Sequence, residues 1–164
     1  MMLTKKEILD EIKEKRLKIE PFNRAQIGPV SIDLTLSNEF RTIISENLNI
    51  NSDYKKISKK LKAEEITLKP GAFILGITKE KIKLPENVCG LLQGRSRYAR
   101  LGLLVHVSAS VVQPGVNNKQ VLEIKNLSNS NLKLKAGTKI CQLILMRTES
   151  NVKYKGKFKN QTNL

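Results

Sequence analysis

Short apolar segments that alternate with polar residues, each closed by a turn rich in Gly, Pro or Asn, recur through most of this sequence and constrain its fold. A period of two is typical of half-buried β-strands, because successive side chains point to opposite faces of a sheet. The pattern predicts strands over residues 31–36, 40–44, 66–68, 73–78, 82–84, 88–93, 105–112, 120–124, 132–134 and 140–146. Many short strands joined by such turns favour an all-β barrel, sandwich or jelly-roll-like fold.

Two segments depart from the β pattern. Thr4 and Glu7 have the spacing of a capping box and are followed by apolar residues at helical spacing, which predicts a short helix over residues 5–15. Residues 45–62 are polar and rich in Lys, Asn and Ser, and we expect them to form a long surface loop. Because 164 residues are typical of one domain, we predict a single mainly β domain over residues 1–164.

The charge of the chain indicates an anionic partner. The formal charge is +15, which suits a nucleotide, a nucleic acid or an acidic surface, but the lysines are spread along the chain, which disfavours nucleic acid. One histidine and two distant cysteines disfavour a protein zinc site. There is no apolar leader and no run near the ~18 residues of a membrane span, so we expect a cytoplasmic protein without membrane contact.

Residues 94–103 place two glycines, three arginines and a serine in an apolar neighbourhood, and the next run holds the single histidine, His106. Arginine binds phosphate oxygens through bidentate, charge-assisted contacts, and glycine lets the backbone approach an anion. This composition fits a polyphosphate-binding segment and a solvated arginine-rich loop equally well.

Two carboxylates on predicted strands are candidates for chemistry. Because Leu122 and Ile124 point to one face of their strand, Glu123 points to the other, either to solvent or into a pocket where it could transfer protons. Asp33 has the same two interpretations. The polar stretch 149–164 is either a frayed tail or a flexible lid that closes over an anion.

Several motifs follow one another in the order and spacing of a known family. They are GRS at 94–96, ARLGL at 99–103, VHVSA at 105–109, PG at 114–115 and VLE at 121–123, with SIDLTL at 31–36 and NEF at 38–40 before them and Y-x-G-K-F-x-x-Q at 154–161 after them. Over nearly the whole chain, this combination closely resembles the dCTP deaminases of the dCTP deaminase/dUTPase superfamily. The signature of the zinc-dependent cytidine deaminases, H-x-E with P-C-x-x-C, is absent.

The resemblance implies a distorted β-barrel (a β-clip, dUTPase-like) assembled as a homotrimer, with active sites between subunits. It implies hydrolytic deamination of dCTP to dUTP and ammonia in pyrimidine deoxynucleotide metabolism. Glu123 matches the general base, which takes a proton from the water that attacks C4 of cytosine and then delivers protons to the leaving ammonia. Mg²⁺ would be carried by the triphosphate oxygens rather than by protein ligands, and no zinc would be required.

The resemblance also assigns the remaining site residues. Arg95, Ser96 and Arg100 would hold the triphosphate and the site water, with Ser96 and Arg100 taking part in catalysis. The backbone around Ser108 and Ala109 would position that water and the base.

In the tail, Lys157 and Gln161 match lid residues that contact phosphates and base, and Tyr154 is a third candidate. Three positions depart from the family pattern. Gln113, still a substrate-binding candidate, stands where the family usually has aspartate, and in dUTPases that aspartate activates the water that attacks the α-phosphate. Arg97 replaces a second serine, and an Asn pair at 117–118 replaces a small residue and a glycine.

Two alternative functions stay open at this point. The first is a dUTP diphosphatase that forms dUMP and pyrophosphate, alone or after deamination in one site, and Gln113 disfavours it because an amide cannot accept the proton of the attacking water. The second is a catalytically silent relative that binds nucleotides or nucleic acid, and the +15 charge and Gln113 motivate it.

Overall fold

The computed structural model describes residues 1–164 and shows a mainly β fold with one short N-terminal helix. The helices are α1 (Lys5–Lys13), a 3₁₀ helix (Arg24–Gln26) and α2 (Ser96–Ala99). The strands are β1 (Lys18–Glu20), β2 (Ser31–Ile43), β3 (Ser58–Lys62), β4 (Glu65–Leu68), β5 (Phe73–Lys83), β6 (Val88–Gly94), β7 (Leu103–Leu104), β8 (Val111–Val112), β9 (Asn117–Asn126), β10 (Leu132–Lys135) and β11 (Lys139–Arg147). Neither α-helix is long and apolar enough to cross a membrane.

Nine of the strands form one curled, half-barrel sheet. Its order is β7-β9-β5-β2-β11-β6-β8, with β1 beside β5 and β3 beside β2, while β4 and β10 pair separately. Side chains from β2, β9 and β11 fill the core, and Leu34, Leu36, Leu122, Ile124 and Leu143 are fully buried there. The alternation that predicts these strands is thus the alternation of core-facing and outward-facing side chains, and the predicted fold class is confirmed.

The structure corrects the prediction of a loop over residues 45–62. Ser58–Lys62 forms β3, which pairs antiparallel with β2. Only Ser58 of this strand is buried, because β3 lies at an edge of the sheet. Its sequence therefore lacks the apolar alternation that marks a strand.

The prediction of a strand over residues 105–112 is wrong for most of its length. Only Val111–Val112 is a strand, and residues 105–110 are irregular. The backbone amides of Val107 and Ser108 donate to the side chain of Glu123 instead of to a neighbouring strand. A side-chain acceptor on β9 therefore replaces the ladder that would make this segment a strand.

Helix α1 ends two residues before the predicted boundary. Its capping box at Thr4 and Glu7 is confirmed, but Lys15 has a positive φ of 59°, and the backbone amides of Arg16 and Leu17 both donate to the backbone oxygen of Glu11. A left-handed residue followed by such bonds is a common way to end a helix.

A buried carboxylate joins α1 to the sheet. Glu11 is only 1% exposed, and it accepts a hydrogen bond from Arg16 Nε at 2.7 Å and another from Arg147 Nη2 on β11 at 2.5 Å. The hydrogen bond from the Arg16 side chain, followed by that from Arg147, lowers the pKa of Glu11 against the opposing effect of burial.

We expect Glu11→Gln to lower the free energy of unfolding by about 2 kcal/mol. This is less than the cost of about 3–5 kcal/mol for breaking a fully buried pair, because both arginines are partly exposed. Urea denaturation measures the change, and Glu20→Gln, an exposed carboxylate, is the control. Equal midpoints for the two variants would contradict the role of Glu11.

The same ion pairs give a pH dependence. Because the folded-state pKa of Glu11 lies below its unfolded value, its stabilising contribution is present above the unfolded pKa of about 4.3 and is lost as the pH falls through the folded value. We therefore expect the stability difference between the native protein and Glu11→Gln to shrink on acidification.

Candidate functional site

A cavity of about 480 Å³ lies where β5 and β9 meet the segment before β8 and the C-terminal tail. Five residues singled out from the sequence line it together: Ala109, Gln113, Glu123, Tyr154 and Gln161. Most of its other walls are apolar. A volume of this size with a few polar groups on apolar walls suits a small organic ligand.

Glu123 provides the carboxylate of this cavity. It lies on β9 between two core residues and is half-buried on the opposite face, as the alternation predicts. Its Oε2 accepts hydrogen bonds from the backbone amide of Ser108 at 2.7 Å, the Ser108 hydroxyl at 3.3 Å and the backbone amide of Val107 at 3.2 Å. These bonds hold one carboxylate oxygen in place, while Oε1 accepts no hydrogen bond from the protein.

His106 and Tyr54 are among the lining residues that were not assigned a role from the sequence. His106 lines the cavity, and both of its ring nitrogens are buried without a hydrogen-bond partner. Tyr54 also lines it, although it belongs to a segment predicted as surface loop. Because His106 is the single histidine and lies in the VHVSA motif, the sequence could have identified it as a site residue. Nothing in the sequence near Tyr54 indicates a place in the cavity.

The predicted phosphate-binding residues lie outside this cavity. Arg95, Ser96 and Arg100 are not among its lining residues, and Ser96 and Arg100 are exposed at the surface. In the sheet, β5, β2 and β11 lie between β9, which carries Glu123, and β6, which precedes Arg95. Arg100 lies nearer along the sheet, three residues before β7, which pairs with β9, but neither arginine lines the cavity that Glu123 lines.

Asp33 pairs with basic side chains instead of facing the cavity. Its Oδ2 lies 3.6 Å from Arg95 Nη1 and 3.6 Å from Lys139 Nζ. Arg95 Nη1 also donates to the backbone oxygen of Lys139 at 3.1 Å. Of the two interpretations of Asp33, proton transfer in the cavity is thus disfavoured, and Asp33 orients the guanidinium of Arg95.

A glycine fixes the end of the arginine segment. Gly102 has a φ of +80°, and a Cβ at this position would lie 2.9 Å from the backbone nitrogen of Ser128. Its backbone oxygen accepts a hydrogen bond from Leu127 at 2.8 Å. Only glycine tolerates both the positive φ and the lack of room for a Cβ. The turn after Arg100 is therefore held against the end of β9.

The C-terminal tail lies along β9. The backbone amides of Asn117 and Lys119 donate to the backbone oxygens of Lys159 and Gln161, each at 2.8 Å. Asn118 is buried and donates from Nδ2 to the backbone oxygen of Phe158 at 2.8 Å. Gln161 and Tyr154 thereby reach the cavity, whereas Lys157 is exposed and does not line it.

We expect Asn118→Ala to loosen the tail without unfolding the domain. Loss of the hydrogen bond from Asn118 Nδ2 to Phe158, together with the one that Asn118 Oδ1 accepts from Gln120 Nε2, should speed amide hydrogen exchange of residues 158–161 about fivefold. Exchange followed by mass spectrometry measures this, with the exposed Asn160→Ala as control. Equal protection in both variants would show that Asn118 does not anchor the tail.

Comparison with known proteins gives consistent results. A family model described as dCTP deaminase-like matches residues 2–148. A Mycolicibacterium smegmatis protein named "dCTP deaminase, dUMP-forming" is 37% identical over 162 residues, which cover 92% of this chain and 82% of the relative. A Nanoarchaeum equitans protein of the same name is 37% identical over 179 residues, covering 95% of this chain and 90% of the relative.

Solved structures show the same fold at low identity. The 2'-deoxycytidine 5'-triphosphate deaminase of Agrobacterium tumefaciens matches with a TM-score of 0.72 and 16% identity, covering 88% of this chain and 47% of that longer chain. The dUTPase of phage phi11 of S. aureus matches with a TM-score of 0.53 and 14% identity, covering 86% of this chain and 96% of the other.

Proposed function

The chain belongs to the dCTP deaminase-like family, and on this premise we propose that it deaminates dCTP hydrolytically with Glu123 as the general base. The observation that carries the proposal is the carboxylate of Glu123, which lies in a mostly apolar cavity with one oxygen bound to two backbone amides. Family membership supports the nucleotide class of the substrate, and the cavity supports the assignment of the base.

In the proposed reaction, water is too poor a nucleophile to attack C4 of cytosine unaided. The amides of Val107 and Ser108 hold Oε2 of Glu123, so that Oε1 takes a proton from the water as its oxygen bonds to C4. As C4=N3 opens, the carboxylate passes this proton to N3; it then carries the hydroxyl proton of the tetrahedral intermediate to the amino group, so that ammonia leaves and the C4 carbonyl of uracil forms. The apolar walls exclude bulk water and strengthen these electrostatic interactions.

For the triphosphate we propose a site shared between subunits of a homotrimer. Arg95, Ser96 and Arg100 lie outside the cavity of their own chain, so in this arrangement they serve the cavity of a neighbouring copy. Leu101 and Val107 are large apolar side chains exposed beside these segments, as expected of residues that a partner covers.

Magnesium would enter with the nucleotide. No three His, Cys, Asp or Glu side chains are grouped so as to hold a metal ion, and the cavity carboxylate already accepts hydrogen bonds from the protein. Mg²⁺ keeps several waters and favours phosphate oxygens, so its fit here is to the triphosphate, where it would offset phosphate charge.

For the product we propose release of dUTP. Gln113 lines the cavity, and its amide cannot accept the proton of a water that attacks the α-phosphate. The names of the Mycolicibacterium and Nanoarchaeum relatives, both dUMP-forming, favour a second candidate in which dUTP is hydrolysed in the same site after deamination.

Product analysis tests these proposals. The protein is incubated with Mg²⁺ and either dCTP or dUTP, and the products are resolved by ion exchange. We expect dUTP and ammonia from dCTP. Formation of dUMP and pyrophosphate from dCTP would establish the second candidate. Turnover of dUTP with no turnover of dCTP would contradict the proposed deamination. No turnover of either nucleotide, with salt-sensitive DNA binding, would indicate a silent relative.

We expect Glu123→Gln to abolish deamination while dCTP still binds. The amide keeps the shape but cannot accept a proton, so kcat should fall by about 10³-fold or more, within the range of general-base catalysis. Calorimetry should give a Kd for dCTP close to that of the native protein. Glu46→Gln, an exposed carboxylate, is the control, and a retained rate in Glu123→Gln would remove Glu123 from the role.

We expect Gln113→Asp to create or raise dUTP diphosphatase activity. A carboxylate at this position supplies the missing proton acceptor, and the rate of pyrophosphate release from dUTP should rise by about 10²-fold, the lower end of general-base effects. Gln113→Asn is the matched control, because it shortens the side chain without adding a base. Equal rates in both variants would show that position 113 does not determine the product.

A further inference from the structure

One wall of the cavity lies outside all of the family motifs. Residues 44–57 connect β2 to β3 and are mostly exposed, yet Tyr54 is half-buried and lines the cavity. Ile43, Phe73 and Leu75 line the same cavity, so the ring of Tyr54 adds to a largely apolar lining. Aromatic rings in such walls are surfaces on which a nucleobase or a deoxyribose packs.

A buried arginine fixes the turn that carries Tyr54. Arg41 on β2 is 6% exposed, and its Nη1 donates to the backbone oxygen of Lys55 at 2.9 Å and to the backbone oxygen and hydroxyl of Ser58 at 3.1 and 2.8 Å. The Ser58 hydroxyl donates in turn to the backbone oxygen of Tyr54. Because a buried guanidinium loses free energy when such hydrogen bonds are broken, these bonds hold the turn in one conformation.

The ring of Tyr54 is also held from the side. The guanidinium carbon of Arg41 lies 6.0 Å from the ring centre, at the limit of a cation–π contact. The Tyr54 hydroxyl is 3.5 Å from Gln161 Nε2. Gln161 lines the cavity, and its backbone is bound to Lys119. Gln161 Nε2 also donates to the backbone oxygen of Asn163 at 3.1 Å, so the Tyr54 hydroxyl is the second of two acceptors that hold this amide.

We propose that Tyr54 is a further nucleotide-binding residue of this site, an inference that rests on the proposed function. Its ring packs against the nucleoside part of dCTP, and its hydroxyl holds the amide of Gln161 toward the nucleotide. Arg41 does not line the cavity and acts through Tyr54, which makes it a positioning residue. The segment 44–57 thus contributes to substrate binding together with the C-terminal tail.

Steady-state kinetics of three variants test this proposal. Tyr54→Leu removes the ring, Tyr54→Phe removes only the hydroxyl, and Lys56→Ala is the control in the same exposed turn. We expect Tyr54→Leu to raise KM for dCTP about tenfold and to change kcat less than about threefold, as expected for loss of one packed aromatic ring. Tyr54→Phe should raise KM about threefold, since one hydrogen bond is lost. An unchanged KM in Tyr54→Leu would overturn the proposal.

A binding measurement separates this inference from the proposed function. Calorimetric titration of dCTP into Glu123→Gln, with and without Tyr54→Leu, reports nucleotide contact in the absence of turnover. We expect Kd to rise about tenfold with Tyr54→Leu. If the native protein binds dCTP without deaminating it, the proposed function fails while this ratio still decides the role of Tyr54. Equal Kd values in the two proteins would exclude contact with the nucleotide.

A double-mutant cycle tests the link to Gln161. If the hydroxyl acts through this amide, the effects of Tyr54→Phe and Gln161→Ala on Kd are not additive. Additive effects would overturn this part of the proposal. Thermal unfolding by circular dichroism checks each variant, and if Tyr54→Leu does not fold, Tyr54→Phe and its cycle decide the outcome.

Discussion

The hydrogen bonds between the Glu123 carboxylate and the backbone amides of Val107 and Ser108 are the interaction on which the candidate site depends. They hold Val107 and Ser108 beside the outward face of β9, where Glu123 lines the cavity. The same bonds fix one oxygen of the carboxylate and leave the other without a protein partner. In the mechanism we propose, the side chain that binds these two amides is also the general base.

The second constraint is that the arginines do not line the cavity that holds the carboxylate. Asp33 and Lys139 hold Arg95 on the far side of β5, β2 and β11 from Glu123. The cavity offers a carboxylate and mostly apolar walls, and the arginine segment offers cations. We propose that copies of the chain assemble so that the cavity of one meets the arginine segment of another. A partner would then cover the exposed apolar side chains near both.

The sequence predicted most of the fold and several of the residues that line the cavity. Alternation identified β2 and β9 because one face of each is buried, and it placed Glu123 correctly opposite Leu122 and Ile124. It missed β3, an edge strand with exposed side chains, and it mistook residues 105–110 for a strand, because an apolar run does not reveal that its amides bond to a side chain. Tyr54 had no local signal, since its place in the cavity depends on Arg41, which is distant in sequence and bound to the turn only in the folded protein.

The assembly itself can be measured through complementation between two inactive variants. Subunits with Glu123→Gln and subunits with Arg100→Ala are mixed in equal amounts, unfolded and refolded together. If each site takes its carboxylate from one copy and its arginine from the next around a ring, random mixing restores both groups at about one quarter of the sites. We predict dCTP deaminase activity near that fraction of the native value. Activity no higher than that of the separate variants would contradict a shared site.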